Sequence, residues 1–215
     1  VDERIAAWIR FARAHHFSRM VISVAVLSAV NLLFGAIYLA FPFADHAVDS
    51  PIPFRKEMPL AFASVAAASL DSAMRSLEFS GSSSFRRLQV TWLAGSLAVV
   101  AVVVAVEELA TGLDGALVSL RSMAIWGGFA IASGRIFGWR LSWILPLLTI
   151  FPLTYWEIDD LGRRRWWDWP GQPVSSLSCW VMAGISFLIA VGLIYLTPWR
   201  ASRMRALFLA RVSNY

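Results

Sequence analysis

Lysine is nearly missing from this chain, cysteine occurs once, and long stretches carry no charge at all. Of 215 residues only 15% are charged, while 58% are hydrophobic. That balance excludes a disordered chain and an ordinary soluble globule. Met20–Ala44, Val90–Val106, Leu141–Trp156 and Trp169–Trp199 contain no Asp, Glu, Lys or Arg, and Met58–Leu70 and Ser122–Gly134 are shorter runs of the same kind. A bilayer is crossed by roughly 20 apolar residues, and a soluble domain has no use for so many neutral runs. The absences therefore point to an integral membrane protein.

Other absences narrow the chemistry. The single cysteine, Cys179, falls in the last apolar run, so no disulfide within the chain and no Cys-based metal site are available. His15, His16 and His46 all lie outside the apolar runs, which gives no intramembrane haem or metal ligand. The sole lysine, Lys56, is not near a Gly-rich phosphate loop. Gly81-Ser82-Ser83-Ser84 lacks the strand–turn–helix setting of a nucleophile elbow and reads as a polar connection. Six helices would use most of the chain, which leaves little length for a catalytic domain. The expectation is no enzyme, no cofactor and no metal in this chain. The Arg-over-Lys bias, with many Ala and Val, is the coding habit of a GC-rich bacterial genome.

What is present is patterned. Residues 1–19 mix Ile5, Trp8, Ile9 and Ala12 with Arg4, Arg10 and Arg13 at helical spacing, as in an amphipathic helix lying on an anionic leaflet. No cleavable leader is expected there. The spans are then expected at about 20–41, 58–74, 90–106, 119–137, 139–156 and 177–198, with a basic tail over 199–215. The second is interrupted by Asp71, a candidate polar contact inside the bundle, and its Ser64–Ser69 stretch is rich in small residues. Ala130, Gly134 and Gly138 form a small-residue stripe, while Pro146 and Pro152 predict kinks in the fifth span. Trp156, Trp166, Trp167 and Trp169 are expected to hold a loop at the headgroup level.

Charge sorts the connections. With the N-terminus in the cytoplasm, the inner segments hold Arg4, Arg10, Arg13, Arg19, Arg75, Arg86, Arg87, Arg135, Arg140 and the four tail arginines, the majority of the 19 basic residues. Most of the 14 acidic residues, Glu57, Glu107, Glu108 and Asp168 among them, fall outside. Basic residues favour the cytoplasmic side, so six spans with both ends inside are expected, and removing the second span would spoil the partition. The net charge of +5 thus reads as membrane orientation rather than as a nucleic-acid surface.

The connection after the second span, LDSAMRSLEFSGSSSFRRLQVTWLAG, resembles the corresponding segment of export-type ATP-binding cassette (ABC) transporter permeases, most closely the small actinobacterial-like ones. An acidic residue, a Gly-Ser pair and a basic stretch lead there into the third helix; here these are Glu78, Gly81-Ser82 and Arg86-Arg87. The resemblance implies an all-α membrane bundle of about six spans with an N-terminal elbow helix. It implies an ATPase-coupling surface of Glu78, Phe79, Gly81, Phe85, Arg86 and Arg87. It further implies cytoplasmic ATPase subunits carrying ATP and Mg, and a second permease chain or a homodimer. The cargo would be amphipathic, such as an antimicrobial peptide, an antibiotic or a lipid-like molecule. A non-transporting accessory subunit of a membrane complex is the rival expectation.

Overall fold

The computed structural model describes residues 17–39, 52–71, 83–156, 158, 159 and 161–195. Each of the six charge-free runs carries one helix: α1 (Phe17–Phe34), α2 (Met58–Ala68), α3 (Ser83–Leu109), α4 (Leu113–Phe137), α5 (Ile144–Tyr155) and α6 (Leu177–Tyr195). Two 3₁₀ turns, Phe54–Lys56 and Trp139–Leu141, precede α2 and α5. The only ladder among the described residues is a two-residue antiparallel pairing of β1 (Tyr38–Leu39) with β2 (Ile52–Pro53), in the register Tyr38 to Pro53 and Leu39 to Ile52. Apart from that clip and an isolated bridge between Ile158 and Arg164, the regular structure among the described residues is helical.

Local chemistry sets the helix limits. Pro59 stands in the first turn of α2, where its missing N–H costs no helical bond. Gly112 and Gly138 bracket α4 with φ of 117° and 103°, a region that side-chain-bearing residues avoid. In α5 Pro152 lies inside the helix and removes one backbone donor.

Length separates the six. Helices α1, α3, α4 and α6 are long and apolar enough to cross a membrane. Helix α2 has 11 residues and α5 has 12, about 16 and 18 Å at 1.5 Å per residue. Both fall short of the hydrocarbon thickness of about 30 Å. The expectation of six full spans is thus met by four.

Contacts give each helix a direction. Phe17 packs on Trp92 with ring centroids 5.8 Å apart, and Asn31 bonds Glu107, so α1 runs parallel to α3. Arg55 meets Glu108 at one end of α2 and Ser69 meets Trp92 at the other, which makes α2 antiparallel to α3. The turn at Thr111-Gly112 reverses the chain into α4. Leu145 reaches Ser133 and Thr149 reaches Trp126, so α5 runs against α4. Ser186 bonds Ile125 and Arg135 bonds Ile194, so α6 runs with α4. Direction alternates through all six helices. The bundle has an upper end at Arg55, Glu108 and Thr111, and a lower end at Asp71, Arg135 and Arg140.

Helix α4 is the centre, with 67% of its apolar window buried against 17–28% for the other three long helices. It packs on α6, α2, α3 and α5. The core joins Phe62, Ala63, Ala66, Val100, Val104, Ile125, Trp126, Trp169 and Cys179. Outward faces carry Ile22, Val26, Leu32 and Leu33 on α1, Val99, Val102 and Val106 on α3, and Ile185, Phe187, Leu188 and Ile189 on α6, all exposed. Contiguous apolar surface of this kind is a liability in water and is suited to acyl chains. The four long helices fit a membrane protein.

Candidate functional site

Glu78, Phe79 and Gly81 lie outside the described residues. Phe85, Arg86 and Arg87 fall at the start of α3, which continues as one helix from the apolar run into the basic connection, and Arg87 is exposed. Asp71 stands just past α2 at the lower end, 3.8 Å from Arg140, and is partly exposed rather than enclosed by helices.

Two polar centres stand out among the described residues. The first gathers at the upper end. Asn31, 1% exposed, lies in a run with no charged residue, and its Nδ2 donates to Glu107 Oε2 at 2.7 Å. Glu108, 4% exposed, faces Arg55 Nε at 3.5 Å and receives Thr111 Oγ1 at 3.4 Å. Thr111 also donates to the Glu108 carbonyl at 2.7 Å, closing the turn into α4. Gly35 is required beside Asn31, since a Cβ there would lie 2.9 Å from Asn31 Oδ1 and 3.0 Å from Arg55 Nε. The cluster ties α1, the turn before α2, and the α3–α4 corner together. Arg55, Glu107 and Glu108 are visible as loop charges in the sequence; Asn31 is not, because a single amide leaves an apolar run intact.

The second centre is Arg121, fully buried about 12 Å down α4 from Leu113. Its Nη2 donates to the carbonyls of Trp169 and Gln172, both at 2.7 Å, and Nη1 to that of Pro173 at 2.9 Å. The Trp180 ring lies 5.9 Å from the guanidinium carbon. These contacts draw the segment before α6 down into the bundle. Trp169 is buried there, edge-on to Trp126 at 5.9 Å, while Trp156 and Trp166 stay exposed. The tryptophans thus divide between core and surface. Asp168, also buried, receives Arg164 Nη1 at 2.7 Å and the Gly171 amide at 3.0 Å, and Gln172 Nε2 donates to the carbonyls of Arg164 and Arg165. The folded loop thus encloses Arg121 and keeps its guanidinium from water.

Above this clamp, Asp159 organises an exposed turn. Its Oδ1 accepts the amides of Arg163 and Leu161 at 2.8 and 3.0 Å, and its Oδ2 accepts Arg163 Nε at 3.1 Å. The Arg163 amide bond is the main cause that holds this carboxyl below its usual range; desolvation opposes it, and the Leu161 amide and the Arg163 guanidinium add to the lowering. A lowered folded-state pKa contributes stability above the unfolded value of about 4, and that contribution is lost as acid protonates the group. Asp159→Asn is therefore expected to speed hydrogen exchange at the Leu161 and Arg163 amides at neutral pH, with little difference from wild type in strong acid.

Among the described residues no group of three or more His, Cys, Asp or Glu side chains is placed to hold a metal ion. The chain matches no protein-family model, and comparisons with curated proteins and with solved structures gave no match.

Proposed function

We propose that this chain is a multi-pass protein of the bacterial cytoplasmic membrane, with both termini in the cytoplasm, acting as the permease subunit of an ABC exporter. All six helices cross in this reading, α2 and α5 together with their flanking turns, and the upper end faces outward. The sorting of arginines toward the lower end supports that orientation. The cargo is an amphipathic molecule, and ATP hydrolysis belongs to separate subunits.

The observation that carries the reading is the continuity of α3. A helix of 27 residues joins the exporter-like basic connection to the middle of the bundle without a break. A partner pushing on Phe85–Arg87 would move α3 as a lever, and a two-state bundle could be driven by the partner's differential affinity for its states. One feature favours the accessory-subunit alternative. The bundle centre around α4 is filled by Gly128, Ala130, Ser133 and Gly134, all buried, so a path would have to form between two chains.

The test is co-purification. Tagged protein should retain a nucleotide-binding chain, and Glu78→Ala or Arg86→Ala should abolish cargo-stimulated ATP hydrolysis while leaving membrane assembly intact. Normal transport with residues 75–89 scrambled would sink the exporter reading.

A further inference from the structure

At the lower end the helices leave a gap. Gln89, Val90 and Leu93 of α3, Arg135 of α4, Trp139 of the turn that follows and Ile194 of α6 line an open pocket of about 220 Å³. Its base is apolar, because Leu70, Leu93, Ile131, Trp139 and Ala190 pack together there and are buried. Its polar groups are the Gln89 amide and the Arg135 guanidinium. Pockets for drug-sized ligands run from about 300 to 1,000 Å³, so this one suits a headgroup rather than a whole cargo molecule.

Arg135 is anchored in a position that suits an anion. It stands in the last turn of α4, where the helix dipole favours a cation. Its Nη2 donates to the Ile194 carbonyl at 2.8 Å, and its guanidinium carbon lies 5.5 Å from the centre of the Trp139 ring. The bond and the ring orient the planar fork in advance, which lowers the entropy lost on binding. Five N–H donors let one guanidinium hold a carbonyl and a phosphate oxygen together.

We propose that this pocket binds the phosphodiester headgroup of an anionic phospholipid from the leaflet at the lower end. Arg135 takes a phosphate oxygen, Gln89 an ester or hydroxyl oxygen, and Val90, Trp139 and Ile194 cover the glycerol. Charge selects the lipid. Arg87 is exposed two residues before Gln89, and Arg140 follows Trp139; among the described residues one acid, Asp71, stands at this end, 3.8 Å from Arg140. A choline or ethanolamine head would add a cation to this basic rim, whereas a phosphatidylglycerol head adds none. Above the pocket α3 and α6 both expose apolar side chains, Val99 and Leu188 among them, against which acyl chains can lie. This inference needs the bundle to lie in a bilayer and does not rest on the exporter reading.

Electron paramagnetic resonance of the full chain in phosphatidylcholine nanodiscs tests it, with a trace of spin-labelled phosphatidylglycerol or spin-labelled phosphatidylcholine. The expected result is a motionally restricted fraction that favours phosphatidylglycerol by about fivefold, the pull of one basic residue on an anionic head. Arg135→Gln and the pocket-filling Val90→Phe should each bring that ratio close to unity, while Arg87→Gln on the rim should keep most of it. Val90→Phe keeps every charge, so it decides the matter even where Arg135→Gln loosens α6. Equal restriction of the two lipids by the wild-type chain would overturn the proposal. A preference that survives Val90→Phe, or that vanishes only in Arg87→Gln, would mark diffuse surface charge and overturn it too. So would displacement of the lipid by excess glycerol phosphate, which would make the ligand a soluble phosphate.

Discussion

Arg121→Met is expected to be the most damaging single substitution in the bundle, lowering stability by about 3 kcal/mol or more. Three backbone carbonyls, from Trp169, Gln172 and Pro173, share the guanidinium at 2.7–2.9 Å. Each buried acceptor left without a donor costs roughly 1–3 kcal/mol. Methionine fills most of the space and removes a desolvated charge, which offsets part of the loss. It supplies no donor, however, and the loop has no other reason to stay at that depth. The expected fall in melting temperature is about 10 °C for a chain of this size. Arg121→Lys should recover only part of it, because one ammonium cannot reach three carbonyls across a planar fork. Trp169 sits edge-on to Trp126, so release of the loop should also red-shift tryptophan fluorescence as Trp169 leaves the core. A methionine variant with wild-type melting and emission would show that the clamp does not hold the loop.

The second large effect is expected at Gly128. A Cβ at this position would overlap the Ser186 hydroxyl and stand 2.7 Å from the Ser186 carbonyl oxygen. The hydroxyl can rotate, at the expense of its 2.9 Å bond to the Ile125 carbonyl. The carbonyl belongs to the α6 backbone and cannot. Gly128→Val must therefore push α6 away from α4, and overpacking of this kind costs about 1–3 kcal/mol, sometimes more. Gly184 provides the control, since a Cβ added there meets nothing within 4 Å. Gly184→Ala should be neutral or slightly stabilising through helix propensity, by up to about 1 kcal/mol. Thermal unfolding of both variants in the same detergent would separate close packing from a general intolerance of glycine replacement.

How much of this was legible in the sequence follows from what each signal encodes. Absent charge is a local property, and it located the six helices of the described residues, from Phe17–Phe34 to Leu177–Tyr195. It overestimated α5, expected at 139–156, because a neutral run does not reveal that Gly138 ends one helix and that Trp139–Leu141 forms a separate turn. Small-residue spacing pointed to close approach within α4, but the partners differ: Gly128 meets α6, whereas Gly134 meets the Trp139 ring of the adjoining turn. The polar centres were least legible. Asn31 and Glu107 are 76 residues apart, and Arg121 lies 48 to 52 residues from its three carbonyls. Backbone carbonyls carry no sequence signature, so no motif could announce that clamp.

Orientation underlies the whole functional account, because an ATPase can engage the Glu78–Arg87 connection only from the cytoplasm. Cys179 is buried, so Cys179→Ala gives a background without reactive thiols. In that background single cysteines at Ser82 and at the exposed Leu161 should be probed in intact cells with a membrane-impermeant maleimide. The prediction is rapid labelling of Leu161→Cys and labelling of Ser82→Cys only after the membrane is opened. Labelling of Ser82→Cys in intact cells, with Leu161→Cys protected, would contradict it.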